Sequence, residues 1–520
     1  MPRPPDPSPL LSLAPRLERW AARRALRLRL LLAVMFGAVA ALGQAPFDLW
    51  PVALIGLAGL FGLFHTADTP RRAALIGWAG GTGYFALALV WIVEPFMVDA
   101  VRFGWMAPFA LLFLATGLAL FWGAGFALAR GIGGRAGRQA AAWVGALALA
   151  ELARSYVFTG FPWALIGHIW VPSAMLQWGA VLGPLGLTLI ALAAAVTIWR
   201  LFGPRPRVAL VSLVVLAAMF GAGAWRAATG PAPRGVPVVR LVQPNAKQSQ
   251  KWDPEVIPTI FRRQIEYTAA GAARPDLIVW PETAVPVLLE YADTTLAVIA
   301  EAAAGVPMVL GIQREDGPRL YNSAIVLGKD GQVSGLYDKH HLVPFGEYMP
   351  LGDLAARFGV HGLAAAEGQG YSAGPGARLF DLGDLGLALP LICYEAVFAQ
   401  DVSAAPKRPA FLLQITNDAW FGQFSGPYQH LAQARLRAVE QGLPMVRVAN
   451  TGVSAMIDAR GRVTASLPLG RAGWIDAPLP APGAVTIYAD TGDSPAALLS
   501  LALLLFAFVQ NAAIRARKPD

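Results

Sequence analysis

Cysteine is almost missing from this chain: there is one, Cys393, in 520 residues. No internal disulfide can form, so a disulfide-stapled scaffold is excluded. Charge is scarce too. Asp, Glu, Lys and Arg together make up 14% of the residues against 56% hydrophobic ones, with a mean hydropathy of +0.49, which leaves too little polar surface to keep the whole chain in water. Histidine occurs six times, never in a metal-ligating pair such as HExxH, and a lone thiol cannot complete a structural zinc site. No metal and no cofactor are therefore expected. His65 and His168 lie in apolar segments. His340 and His341 are neighbours that a strand would point to opposite faces. His361 falls in a loop, and His430 lies on a helix where a structural role is expected.

Long apolar runs are abundant instead. A spanning helix needs about 20 mostly apolar residues, and candidates lie at 28–44, 50–66, 73–94, 106–129, 139–158, 174–200, 207–225 and 495–514. In the first, the run "LLLAVMFGAVAALG" follows Arg16, Arg19, Arg23, Arg24, Arg27 and Arg29 and could pass for a secretion signal. Because further apolar segments follow at once, it reads as a retained membrane helix.

The net charge of +9 sits mostly beside these runs, in a pattern that points to membrane topology and not to nucleic acid. Basic residues recur in every second connection: Arg71 and Arg72, then Arg130, Arg135 and Arg138, then Arg200, Arg205 and Arg207, and finally Arg515, Arg517 and Lys518. The positive-inside rule then puts both termini in the cytoplasm. "GIGGRAG" (131–137) has no strand before it and reads as a turn, not a phosphate loop. Glu151 and Arg154, inside a span, read as a pair at helical spacing or as residues near the interface that meet lipid headgroups, and not as a transport pathway.

Residues 235–493 have another texture. Short apolar runs, "VPVVRLVQ", "DLIVW", "PMVLGIQ", "NSAIVLG", "LGLALPLIC", "AFLLQITN" and "MVRVANTG", are bounded by Gly, Pro, Asn and Asp and read as buried strands. "PEVIPTIFRRQIEYTAAGA" and "GPYQHLAQARLRAVEQG" have amphipathic helical spacing. The expected layout is a basic N-terminus (1–27), seven membrane helices over 28–228, an extracytoplasmic α/β domain over 235–493, an eighth membrane helix at 495–514 and a basic C-terminus (515–520).

A free cysteine is ordinarily a small buried hydrophobe. Cys393 differs in standing where a buried strand runs out and polar "YE" begins, the place where α/β folds present ligands and nucleophiles. A cysteine nucleophile needs a proton acceptor and a positive or donor-rich surrounding. Two other strand ends offer such groups: Glu282 in "DLIVWPETAVP", and Lys339 with Glu347 in "YDKHHLVPFGEYMP".

"WPETA", "YDKHHLVPFGEYMP", "LICYE" and "TNDAWFG" resemble the motifs of the nitrilase superfamily. With "FDLWP", "TGFPW", "SQKW" and the membrane frame, essentially the whole chain resembles the apolipoprotein N-acyltransferases. That resemblance implies an αββα sandwich facing the periplasm of a bacterial inner membrane. It implies Cys393 as nucleophile, Glu282 as general base and Lys339 as stabiliser of the tetrahedral intermediate, with Glu347 and Glu395 as further active-site glutamates. Tyr394 would support the site, while Trp252 and Trp420 would stand near the lipid entrance. It also implies the partners, a phospholipid acyl donor and a diacylated apolipoprotein whose N-terminal cysteine receives the acyl chain. Two rival readings keep parts of this frame: a membrane-tethered amidase in which water resolves the thioester, and a transporter or receptor with an inactive nitrilase-like domain.

Overall fold

The computed structural model describes residues 13–133, 139–203, 206–229, 236–350 and 370–516. The chain divides into two compact units: one of Met1–Val93, Trp105–Thr229 and Asp490–Asp520, the other of Glu94–Gly104 and Gly230–Ala489. His361, Gly134–Gly137 of the glycine-rich turn, and Arg135, Arg138, Arg205, Arg517 and Lys518 of the basic segments lie outside the described residues.

The first unit is helical. Among the described residues, four helical segments are long and apolar enough to cross a membrane: Ala100–Gly133, which starts in the second unit, Ala174–Leu201, Pro206–Ala228 and Ser494–Ala512. The bent pair Pro70–Ala88 and Val90–Met97 makes a fifth if it is one span. The remaining expected spans fall on helices Leu26–Ala41, Trp50–His65 and Gln139–Tyr156. The first two are only 16 residues long, and the third carries buried charge.

Local sequence explains several features here. Thr69 caps Pro70–Ala88 by accepting from Arg72 N at 3.2 Å. Helices Leu26–Ala41 and Pro70–Ala88 meet through small residues: a Cβ on Gly37 would fall 1.9 Å from Gly80 O, and one on Gly83 2.0 Å from Val34 O. Such contacts require glycine and let the backbones touch. Glu151 and Arg154 do pair, at 2.9 Å and fully buried. Glu151 also accepts from Trp122 Nε1 and Ile166 N, and Arg154 donates to Phe161 O and Trp163 O. The pair thus ties the "TGFPW" loop to the helix that carries it, so every polar group of the pair has a partner where water is absent.

The second unit is built on two six-stranded sheets. Their strands are β1 (Val238–Gln243), β2 (Leu277–Val279), β3 (Met308–Asp316), β4 (Arg319–Leu327), β5 (Val333–Asp338), β6 (Phe380–Asp381), β7 (Leu387–Ile392), β8 (Phe411–Thr416), β9 (Met445–Ala449), β10 (Ser454–Ile457), β11 (Val463–Leu467) and β12 (Gly473–Pro478). The orders are β12-β1-β2-β3-β4-β5 and β11-β10-β9-β8-β7-β6. Each sheet has a parallel centre, β1-β2-β3 and β7-β8-β9, with antiparallel strands outside it.

Each sheet packs on its own helices. Ile278, Trp280, Met308 and Leu310 bury against Leu296 and Ile299 of Asp293–Ala303 and against Phe261 and Ile265 of Ile257–Ala269. Leu391, Leu412 and Met445 bury against Ala434 and Ala438 of Gly426–Gln441. Polar ties join the two sheets: the Ser454 hydroxyl donates to Gln243 Oε1 at 2.6 Å, and Asn450 exchanges hydrogen bonds with the Ala246 backbone. The order helix, sheet, sheet, helix is the αββα sandwich.

Candidate active site

Glu282, Lys339 and Cys393 all follow strand ends, after β2, β5 and β7 respectively. Glu282 Oε1 accepts from Asn322 Nδ2 at 2.7 Å, and Oε2 from the Asn417 backbone N at 2.7 Å. Asn322 comes from β4 and Asn417 from the end of β8, so both sheets hold this one carboxylate. Lys339 Nζ lies 2.8 Å from Glu347 Oε1 and 3.8 Å from Glu282 Oε1. Glu347 is fixed in turn by Val343 N on Oε2 at 2.8 Å and by Asn322 on Oε1 at 3.3 Å. All of these side chains are buried.

Cys393 is the first residue past β7, with φ at +52°. A non-glycine residue in the left-handed region is uncommon and marks a site where the surroundings impose the conformation. Here the Cys393 carbonyl accepts from Gln414 Nε2 at 3.1 Å and lies 3.1 Å from His430 Nε2. Behind them, His430 Nδ1 faces Asp418 Oδ1 at 2.9 Å, and Arg447 bridges Asp418 Oδ2 and Gln414 Oε1. Gln414, Asp418, His430 and Arg447 are fully buried. Burial opposes the Asp418 charge, but Arg447 and His430 outweigh it and bring its pKa down to about 2.

The electrostatics separate the roles of the thiol and the lysine. Burial raises the Cys393 pKa well above its ordinary value and the Glu282 carboxylate adds to this, while Lys339 and a hydrogen bond with Thr416 only partly counter them. The resting thiol is therefore neutral and needs a base. Burial disfavours the Lys339 charge as well, yet Glu347, Glu282 and Cys393 raise its pKa above the normal lysine value. The cation persists beside the thiol. A buried thiol, a carboxylate held by donors and a permanently charged ammonium can together support attack on a carbonyl and stabilise an oxyanion.

Glu395 is placed differently. Its Oε1 accepts from His340 N at 2.8 Å, from Tyr337 OH at 2.7 Å and from His341 N at 3.3 Å, and its Oε2 accepts from Ile392 N at 2.7 Å. One carboxylate thus ties the strand end that carries Lys339 to the strand end that carries Cys393. Tyr394 is buried with its ring edge-on to His341 and Phe398. Trp252 is 43% exposed and Trp420 is half-buried.

One sequence reading needs revision. His340 and His341 follow β5 instead of lying on it, so strand alternation does not apply. Both rings turn to Asp401, with His341 Nδ1 at 2.8 Å and His340 Nε2 at 3.8 Å. The sequence pattern assigned no role to Asn322, Gln414, Thr416 or Asn417, although Thr416 and Asn417 open "TNDAWFG". Asn322 stands in the apolar run "NSAIVLG", where a buried asparagine is itself a signal because it must find partners. Asn417 contributes a backbone N–H that no side-chain pattern reveals.

Comparison with known proteins bears on the whole chain. Residues 36–197 match the apolipoprotein N-acyltransferase N-terminal domain, and residues 239–486 match the carbon-nitrogen hydrolase family. The chain is 40% identical over 515 residues to an apolipoprotein N-acyltransferase of Caulobacter vibrioides, covering 94% of this chain and 95% of that protein. It belongs to the apolipoprotein N-acyltransferase family. A second member, from Rhodopseudomonas palustris, is 38% identical over 93% of this chain and 95% of its own length. Among solved structures, an amidase from Nesterenkonia sp. overlaps 48% of this chain and 94% of its own, at 20% identity and a TM-score of 0.35. As an apolipoprotein N-acyltransferase family member the chain joins a nitrilase-like domain to a helical unit with several apolar helices.

Proposed function

We propose that this protein transfers an acyl chain from a phospholipid to the α-amino group of an S-diacylglyceryl cysteine at the N-terminus of an apolipoprotein. The observation that carries the reading is the buried set of a neutral thiol, a donor-held carboxylate and a charged ammonium within a chain of this family. Glu282 takes the proton of Cys393 as its sulfur attacks the phospholipid ester carbonyl. Lys339 faces the oxyanion of the tetrahedral intermediate. Collapse breaks the ester C–O bond, and the proton held by Glu282 passes to the leaving alkoxide, giving a lysophospholipid and a Cys393 thioester. The amine then attacks the thioester, Glu282 accepts an amine proton, and the expelled thiolate regains a proton as the amide forms.

The topology completes the proposal. Eight spans, with basic loops and both termini in the cytoplasm, put residues 235–493 on the periplasmic face of a bacterial inner membrane. Trp252 and Trp420 are then placed to meet lipid, since tryptophan favours the interface. The test is an assay of the purified protein with phospholipid and a synthetic diacylated lipopeptide. Equal amounts of lysophospholipid and triacylated lipopeptide are expected. Lysophospholipid with free fatty acid, and an unchanged lipopeptide, would make the protein a hydrolase.

A further inference from the structure

Glu282 sits in a strained turn. Thr283 has φ at +46°, a left-handed conformation that a β-branched residue resists. From beneath, the turn presses on β3 at Gly311, where a Cβ would meet Pro281 O at 2.3 Å and Thr283 N at 2.6 Å. From the other side the Lys251 ammonium donates to the Glu282 carbonyl oxygen at 3.1 Å and to the Thr283 hydroxyl.

Lys251 is an unusual residue for this place. It is 8% exposed, and no carboxylate among the described residues pairs with it. Burial lowers its pKa to about 8, with the Glu282 carboxylate foremost in opposing the fall. Its ammonium lies 5.5 Å from the centre of the Trp252 ring. A small cavity next to Glu282 is lined by Lys251, Trp252, Gln264, Thr283 and Asn450. A methionine would fill the same space without desolvating a charge.

We propose that Lys251 is a positioning residue of this active site, whose ammonium clamps the strained Glu282–Thr283 turn and so holds the Glu282 carboxylate at the Cys393 thiol. The proposal rests on the assignment of Glu282 and Cys393 made above. Charge-assisted hydrogen bonds are stronger than neutral ones, so the clamp weakens as Lys251 loses its proton. The other groups around it, Glu282, Cys393, the Thr283 hydroxyl and the Trp252 ring, supply no replacement cation.

The experiment follows acylation of Cys393 from phospholipid by intact mass, from about pH 6 to about pH 9.5, with a melting curve for every variant. Lys251→Met should acylate about tenfold more slowly or worse at neutral pH, the loss expected for one charge-assisted hydrogen bond, at a nearly unchanged Tm. In the unmodified protein the rate should decline above about pH 8. Thr283→Gly tests the clamp from the side of the turn: it removes the hydroxyl that accepts from Lys251 but lets the turn take a positive φ without strain, so it should shrink that alkaline decline. A Lys251→Met protein that acylates at the unmodified rate would overturn the proposal, as would a Thr283→Gly protein that keeps the full decline. Absence of any adduct on the unmodified protein would instead remove the assignment of Cys393 on which the proposal stands.

Discussion

Lys339 lies closer to Glu347, at 2.8 Å, than to Glu282, at 3.8 Å. The carboxylate nearest the lysine is thus distinct from the one proposed as the base for the thiol. Glu347 satisfies the ammonium, which under the proposed mechanism leaves Glu282 free to exchange a proton. Glu347→Gln removes this counter-charge, and Lys339 then has only Glu282 and the thiol to oppose its burial. Acylation should fall by about tenfold or more, with Lys339→Met falling further still. Single-turnover rates of adduct formation check both.

Glu395 should behave as a tie and not as a reacting group. Glu395→Ala leaves the N–H groups of Ile392 and His340 and the Tyr337 hydroxyl without their acceptor inside the fold. A destabilisation of about 3 kcal/mol or more is expected, visible as a lower Tm alongside lost activity. Glu395→Gln, which keeps one acceptor oxygen, should recover part of the Tm.

The buried Asp418 predicts an acid response. Its folded pKa of about 2 lies below the ordinary 3.8, so its stabilising contribution is fully present above the unfolded value. It is lost as pH falls through about 2. Asp418→Asn should cost about 3–5 kcal/mol near neutral pH, because the Arg447 charge is left buried without its counter-charge. It should also reduce the steepness of acid unfolding in that window.

His340 works on the alkaline side. Burial disfavours its charge, but the facing Asp401 and Glu395 carboxylates outweigh this and raise its pKa to about 10 from 6.5. A raised folded pKa gives stability that is complete below 6.5 and disappears as pH rises through about 10. The apparent Tm of the unmodified protein should fall across that range, and His340→Asn should flatten the dependence.

Much of this fold is legible in the sequence because the central strands are buried on both faces. "LGLALPLIC", "AFLLQITN" and "MVRVANTG" are continuous apolar runs and become β7, β8 and β9, three parallel neighbours. The outer strands β5, β11 and β12 stay hidden, since "VSGLYD", "VTASL" and "GWIDAP" mix exposed and half-buried residues and so carry neither a clean alternation nor a solid run. The site divides in the same way. Residues with distinctive chemistry at strand ends, Glu282, Lys339, Glu347 and Cys393, can be picked out one by one, and the family motifs group them. Lys251 cannot, because its significance lies in a contact with a backbone carbonyl on a strained turn. Neighbouring Trp252 draws the eye for its ring instead. The strand-end cysteine has its own hidden support, in that the residues holding its carbonyl, Gln414 and His430, lie 21 and 37 positions further along the chain.

The central claim is that Cys393 carries the acyl group. Intact-protein mass spectrometry after incubation with phospholipid tests it directly, because a chain with one cysteine has one place for a thioester. The account predicts one added acyl mass on the unmodified protein and none on a folded Cys393→Ala protein, with the adduct discharged by a diacylated lipopeptide. An acyl mass that survives on Cys393→Ala, or lipopeptide acylation by that variant, would contradict it.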